Sequence, residues 1–126
     1  MGEIIISRVY DAESSKGPKG SKGEVFLIDG IWPRGVRKDD LNLDGWVRDI
    51  APSPDLRRWF GHRPERFEEF RTRYREELDR NPDTVRSLLD AARRGPITLL
   101  YAAKDTEHNN AVVLRDYLRD RLGTAA

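Results

Sequence analysis

The sequence predicts an α/β fold: a small three-stranded, mostly parallel sheet flanked by four to five helices, forming a single domain over residues 1–126. Three observations lead there. Short β-branched or apolar runs stand at Ile4–Tyr10, Glu24–Asp29 and Ile97–Ala102, each of strand length. These runs do not alternate polar with apolar, the mark of strands covered on both faces. Helical stripes fill the long interval between the second and third runs, and one more follows the third. A strand, helices and a returning strand make a parallel pair through a crossover.

The elements follow in order. Ile4-Ile5-Ile6-Ser7-Arg8-Val9-Tyr10 is the first strand, and its apolar run favours a buried parallel position over a wide hairpin. Asp11 to Gly23 holds Gly, Pro and three lysines, Lys16, Lys19 and Lys22. It has no core-forming pattern and reads as a mobile surface loop. The phosphate-loop pattern G-x-x-x-x-G-K-[ST] does not fit there. Glu24-Val25-Phe26-Leu27-Ile28-Asp29 is the second strand, and Gly30 to Asp40 a loop carrying Trp32-Pro33-Arg34-Gly35.

Ser53-Pro54-Asp55 is a helix start, with an oxygen cap, proline at the first helical position and an acid in the first turn. Pro64 begins the next helix, whose stripe is Phe67, Phe70, Tyr74 and Leu78. Asn81-Pro82-Asp83 repeats the start signal. Val85, Leu88, Leu89 and Ala92 face inward from that helix, and Gly95-Pro96 ends it. Ile97–Ala102 is the third strand. Asp105 or Thr106 caps the last helix, whose stripe is Ala111, Leu114, Leu118 and Leu122. Residues 123–126 form a frayed tail.

Composition narrows the function classes. The chain has 126 residues, 23 basic and 22 acidic, and no cysteine. Near-cancelling charge disfavours a strongly basic nucleic-acid binder. Without cysteine there is no disulfide, zinc–thiolate site, iron–sulfur cluster or thiol nucleophile. No apolar run reaches the ~18 residues of a membrane span, and Met1–Tyr10 lacks the layout of a signal peptide. A cytoplasmic protein is expected. Leu, Ile, Val and Phe supply roughly a quarter of the residues, above the ~20% level at which disorder is expected.

In open parallel sheets, ligands bind beyond the carboxyl ends of the strands. That rule selects three loops. The first begins with Tyr10 and Asp11. The second holds Asp29, Trp32, Arg34, Arg37 and Lys38. The third holds Lys104, Asp105, His108, Asn109 and Asn110. Candidate ligand-binding residues are Trp32, Arg34, Lys104, Asp105 and Asn109. Arg34 and Lys104 suit an anion, and Trp32 could stack on a ring or fold over the core. Asp29 and His108 are candidate proton carriers, with Asp105 able to hold the imidazole tautomer. Asp29 could equally bond backbone amides or pair with Arg34. His62 reads as a packed or surface histidine. No metal site and no cofactor is expected. The favoured partner is a small anionic ligand, a nucleotide or phosphorylated metabolite. The alternatives are a nucleic-acid accessory module or a noncatalytic interaction protein with a degenerate site. Catalysis and oligomeric state are left open.

Three segments carry a resemblance. Leu27-Ile28-Asp29-Gly30-Ile31-Trp32-Pro33-Arg34-Gly35 is the first. The second is Ala51-Pro52-Ser53 continuing into Leu56-Arg57-Arg58-Trp59-Phe60-Gly61-His62. The third is Thr98-Leu99-Leu100-Tyr101-Ala102-Ala103-Lys104-Asp105 with Glu107-His108-Asn109. Together they resemble the YeaO-like branch of the domain of unknown function 488 family, over roughly Ile4 to Leu122. The resemblance implies a small bacterial α/β protein. The family usually has Arg where this chain has Gly30, and often His where it has Asn110. More distant relatives place Cys and His in the third-strand loop, and thiol chemistry of that kind does not carry over to a chain without cysteine.

Overall fold

A computed structural model describes residues 3–10, 23–37, 41 and 43–124 of the chain. The expected loop of 11–22 and Lys38 lie outside these residues. The described part is an α/β domain with four strands: β1 (Ile4–Arg8), β2 (Glu24–Leu27), β3 (Gly45–Trp46) and β4 (Ile97–Tyr101). Its helices are α1 (Pro54–Phe60), α2 (Phe67–Asp79), α3 (Pro82–Arg94) and α4 (Asn110–Thr124), with 3₁₀ turns at Arg48–Ile50 and Pro64–Arg66. The sheet order is β1-β4-β2-β3, and every pairing is parallel.

The expected strands are present, and β4 lies between β1 and β2. It is buried along its whole length, as its unbroken apolar run requires. Alternate residues point to opposite faces. Ile97, Leu99 and Tyr101 join the large core beneath the helices. Leu100 joins a smaller cluster with Val9, Val25, Leu27 and Leu41, closed over by Trp32 and Trp46. Helices therefore cover one face of the sheet, and the loops around β3 cover the other.

Strand β3 corrects the expected strand count from three to four. Two residues, one of them glycine, carry no periodicity. They pair because Asp44 clamps β2: Val25 N–H donates to Asp44 Oδ2 at 2.7 Å, and Asp44 N–H donates to Val25 O at 2.8 Å. Val47 N–H continues the ladder to Leu27 O at 2.9 Å. Where β2 begins, Gly23 is obligatory. A Cβ there would stand 1.6 Å from the Pro96 carbonyl oxygen.

The α2 stripe Phe67, Phe70, Tyr74 and Leu78 is buried as the spacing predicts. Phe70 stacks on Phe60 of α1 with ring centroids 4.3 Å apart. Each such side chain stabilises the fold by roughly 1.5–3 kcal/mol through removal from water. Ser53 caps α1, accepting from Leu56 N–H at 3.2 Å. Glu77 of α2 holds this cap from behind, accepting from Ser53 N–H and Oγ–H at 2.8 and 2.6 Å.

Two expected caps are corrected. Asn81 precedes α3, but its Nδ2 donates to Asp49 O at 2.8 Å instead of capping. The last helix is capped by Asn109, whose Oδ1 accepts from Val112 N–H at 3.0 Å. Asp105 sits a turn earlier and accepts from Glu107 and His108 N–H. The local pattern offers several oxygen caps in this loop, and packing of α4 against the sheet selects one. That helix also runs through Thr124, so it includes Gly123.

Candidate functional site

The carboxyl ends of β4 and β2 open into a cavity of about 700 Å³. Among the sequence-derived candidates, Asp29, Trp32, Arg34, Lys104, Asp105 and Asn109 all line it. Asn110 lines it as well. Five residues outside the three strand-end loops complete the wall, Pro52 from ahead of α1 and Arg57, Phe60, His62 and Phe70 from α1, its following turn and α2.

Asp29 leaves β2 and faces this cavity. Its Oδ2 accepts from Ala102 N–H at 2.9 Å, and its Oδ1 accepts from Asn110 Nδ2 at 3.0 Å. It bonds a backbone amide, one of the alternatives open from the sequence, and does not pair with Arg34. Burial raises its pKa above the ordinary carboxylate value of 3.8, against the opposing pull of Asn110, Ala102 N–H and the charges of Arg57 and His62. Desolvation thus outweighs two hydrogen bonds and the pull of nearby basic groups. Beneath it, Tyr74 is fully buried and donates to Ile50 O at 2.6 Å. Burial first, then the Asp29 and Glu77 charges, pushes that phenol well up, so it remains a neutral donor.

Trp32 contributes a ring to the wall while its indole is committed to the fold. Nε1 donates to Val36 O at 2.6 Å, and the ring meets Trp46 edge-on at 5.3 Å. Asn109 is only 1% exposed, so its amide must be satisfied internally. Nδ2 donates to Asp105 O at 2.8 Å while Oδ1 caps α4. Its contribution to the cavity is to hold the loop that carries Lys104.

His108 does not line the cavity. Its Nδ1 lies 2.9 Å from Asp105 Oδ2, and its ring stands edge-on to Phe67 at 5.2 Å. Asp105 is held below 3.8, chiefly by the N–H groups of Glu107 and His108. The histidine at the cavity is His62. It follows Gly61, and both take left-handed backbone, with φ of 54° and 56°. For a non-glycine residue that conformation is costly, and it places the exposed ring at the rim.

The cations divide into two groups. Along the helices, arginines hold carboxylates: Arg73 with Glu69, Arg75 with Asp120, Arg94 with Glu24. At the cavity, the side chains of Arg34, Arg57 and Lys104 make no ion pair among the described residues. Arg57 is the sharpest case. Its Nε is sealed from solvent and has no hydrogen-bond partner. Its guanidinium lies against Gly30, with Nη1 3.5 Å from where a Cβ would stand. A larger residue at position 30 would compete with Arg57 for that space. Arg57 escapes strand-end logic because it sits on a helix that precedes β4 by many residues. The signal that could have found it is the conjunction Arg57–His62 within one resemblance segment.

Among the described residues, no three His, Asp or Glu side chains group as a metal site. No helix there is long and apolar enough to cross a membrane.

A parallel sheet with helices on one face and a cavity over its strand ends defines the class as an open α/β domain. The chain belongs to the family described as the inactive DUF488-N3 subclade, whose model matches residues 3–126. It is 43% identical over 117 residues to the uncharacterized protein YeaO of Escherichia coli K12, covering 92% of this chain and 96% of that one. It is 40% identical over 118 residues to the uncharacterized protein Rv3073c of Mycobacterium tuberculosis H37Rv, covering 94% and 95%. Mb3100c of Mycobacterium bovis matches equally, at 40% over 118 residues. No solved structure matches the chain.

Proposed function

We propose that the strand-end cavity binds a small anionic ligand, a nucleotide or phosphorylated metabolite, and holds it without turnover. The observation that carries this reading is the set of cations with no carboxylate partner among the described residues, Arg34, Arg57 and Lys104, around one cavity. Its volume of about 700 Å³ falls within the ~300–1,000 Å³ of small-molecule sites. A half-buried guanidinium with an unpartnered nitrogen is unfavourable by itself, and an anion or a carbonyl oxygen supplies the missing acceptor.

Binding without chemistry is favoured by the family description as inactive and by the placement of His108. Its ring is turned to Asp105 and Phe67. A nucleic-acid module would need a surplus of cations for the phosphate backbone, and the 23 basic and 22 acidic residues of the chain nearly cancel.

The test is thermal unfolding of the chain with nucleotides, sugar phosphates and a short single-stranded oligonucleotide, each at two salt concentrations. A ligand at 100 times its Kd adds ~2.7 kcal/mol, on the order of 10 °C for a domain this size. The reading expects such a shift from a small anion, lost in Arg34→Ala and Arg57→Ala. Silence from every small anion overturns it. So does a response confined to the oligonucleotide and fading with salt.

A further inference from the structure

The polar groups of the cavity are sorted by depth. Arg34 and Lys104 are exposed, at its mouth. Asp29 and Arg57 are partly buried, within it; so are Asp105 and Asn110, whose side chains are already bonded to His108 and to Asp29. The floor therefore carries a carboxylate beside a guanidinium. Each Asp29 oxygen accepts one hydrogen bond from the protein, and a carboxylate oxygen can accept two. Arg57 acts on Asp29 through its charge but does not reach it as an ion pair. The floor thus offers an acceptor and a donor that do not satisfy each other.

A bare phosphate at this depth would face the like charge of Asp29. A group with an N–H next to a C=O meets both needs together, donating to Asp29 and accepting from Arg57. The edge of uracil or guanine is such a group. The rest of the lining is largely apolar, with the rings of Trp32, Phe60, Phe70 and Pro52 in it. It suits a heteroaromatic ring better than a hydrated sugar.

We propose that the cavity takes a nucleoside monophosphate base-first, with the N–H/C=O edge of the base between Asp29 and Arg57 and the phosphate on Arg34 and Lys104 at the mouth. This rests on the anion-binding reading above and adds the ligand's class and orientation.

The experiment is titration of the full chain, by calorimetry or thermal shift, with uridine and guanosine 5′-monophosphates. Ribose 5-phosphate, inorganic phosphate and 3-methyluridine 5′-monophosphate are the comparisons. The inference expects one of the two nucleotides to bind at least about tenfold more tightly than ribose 5-phosphate or inorganic phosphate. If uridine monophosphate binds, the 3-methyl analogue, which lacks the N–H, loses at least about tenfold, as a site built around a buried hydrogen bond predicts. Asp29→Asn and Arg57→Ala lose a similar factor. The ligand-side comparisons do not depend on these variants folding. If ribose 5-phosphate or inorganic phosphate binds as well as the nucleotides, and Arg34→Ala still weakens it, the anion site stands and the base-first inference falls. If none of the five raises the melting temperature, both fall.

Discussion

Asn110 donates from Nδ2 to Asp29 Oδ1 at 3.0 Å, joining residues 81 positions apart. The bond ties the end of β2 to the first turn of α4. Through its second oxygen, Asp29 also holds Ala102 N–H just beyond β4. One carboxylate thus ties together the three elements that form the back of the cavity.

That position sets a pH dependence. Burial raises the Asp29 pKa above 3.8, so the folded chain binds this proton more tightly than the unfolded chain. The protonated form favours folding, and stability falls as pH rises from about 4 through the raised native value. Asp29→Asn, which cannot ionise, lacks this slope. Urea unfolding of wild type and variant across pH 3.5 to 8 should show their stability difference moving in the variant's favour as pH rises, then levelling. A difference that stays constant over that range contradicts the assignment.

Asp105 behaves oppositely on the same cavity. Its pKa is lowered, first by Glu107 N–H, so its contribution is present above the ordinary carboxylate range and is lost as pH falls through the depressed value. Asp105→Ala should therefore be less stable than wild type at neutral pH, with the gap closing in acid. A gap that does not narrow at all as pH falls below the ordinary carboxylate value would show that the carboxylate's charge is not the cause.

Asn109→Ala removes the α4 cap and leaves Val112 N–H and the Asp105 carbonyl without their partner. The expected loss is about 1–2 kcal/mol in chemical denaturation. Asn109→Ser keeps the capping oxygen and should recover part of it. Equal losses in the two variants would place the cost in packing.

His62 holds a left-handed backbone at φ 56° directly after Gly61. Glycine adopts that conformation without steric cost and alanine does not. His62→Gly should therefore exceed His62→Ala in stability by about 1 kcal/mol. If His62 contacts the ligand, both variants weaken binding alike. A stability order with alanine above glycine would mean that the conformation relaxes in solution.

Much of the fold was legible because its causes are local. The runs at Ile4, Glu24 and Ile97 read as strands, and Phe67, Phe70, Tyr74 and Leu78 as one helix face, since burial of such a stripe follows from its spacing alone. Ser53-Pro54 announced α1 through the chemistry of a cap. Strand β3 stayed hidden because two residues carry no period, and the Asp44 clamp that makes it a strand lies 19 residues from its partner Val25.

The sequence by itself determined the α/β class, the order of the main elements and the gathering of Asp29, Trp32, Arg34, Lys104, Asp105 and Asn109 at one sheet edge. Strand ends in a parallel sheet all open the same way, so polar residues after them converge. Only the tertiary structure decided which side chains point inward. It turned His108 onto Phe67 and Asp105, committed Asn109 to the cap, and brought Arg57 and His62 from α1 and its following turn into the wall. The direction of a side chain on a helix or loop depends on which face is buried against distant elements, and contacts such as Asp29 with Asn110 are made only when those elements pack.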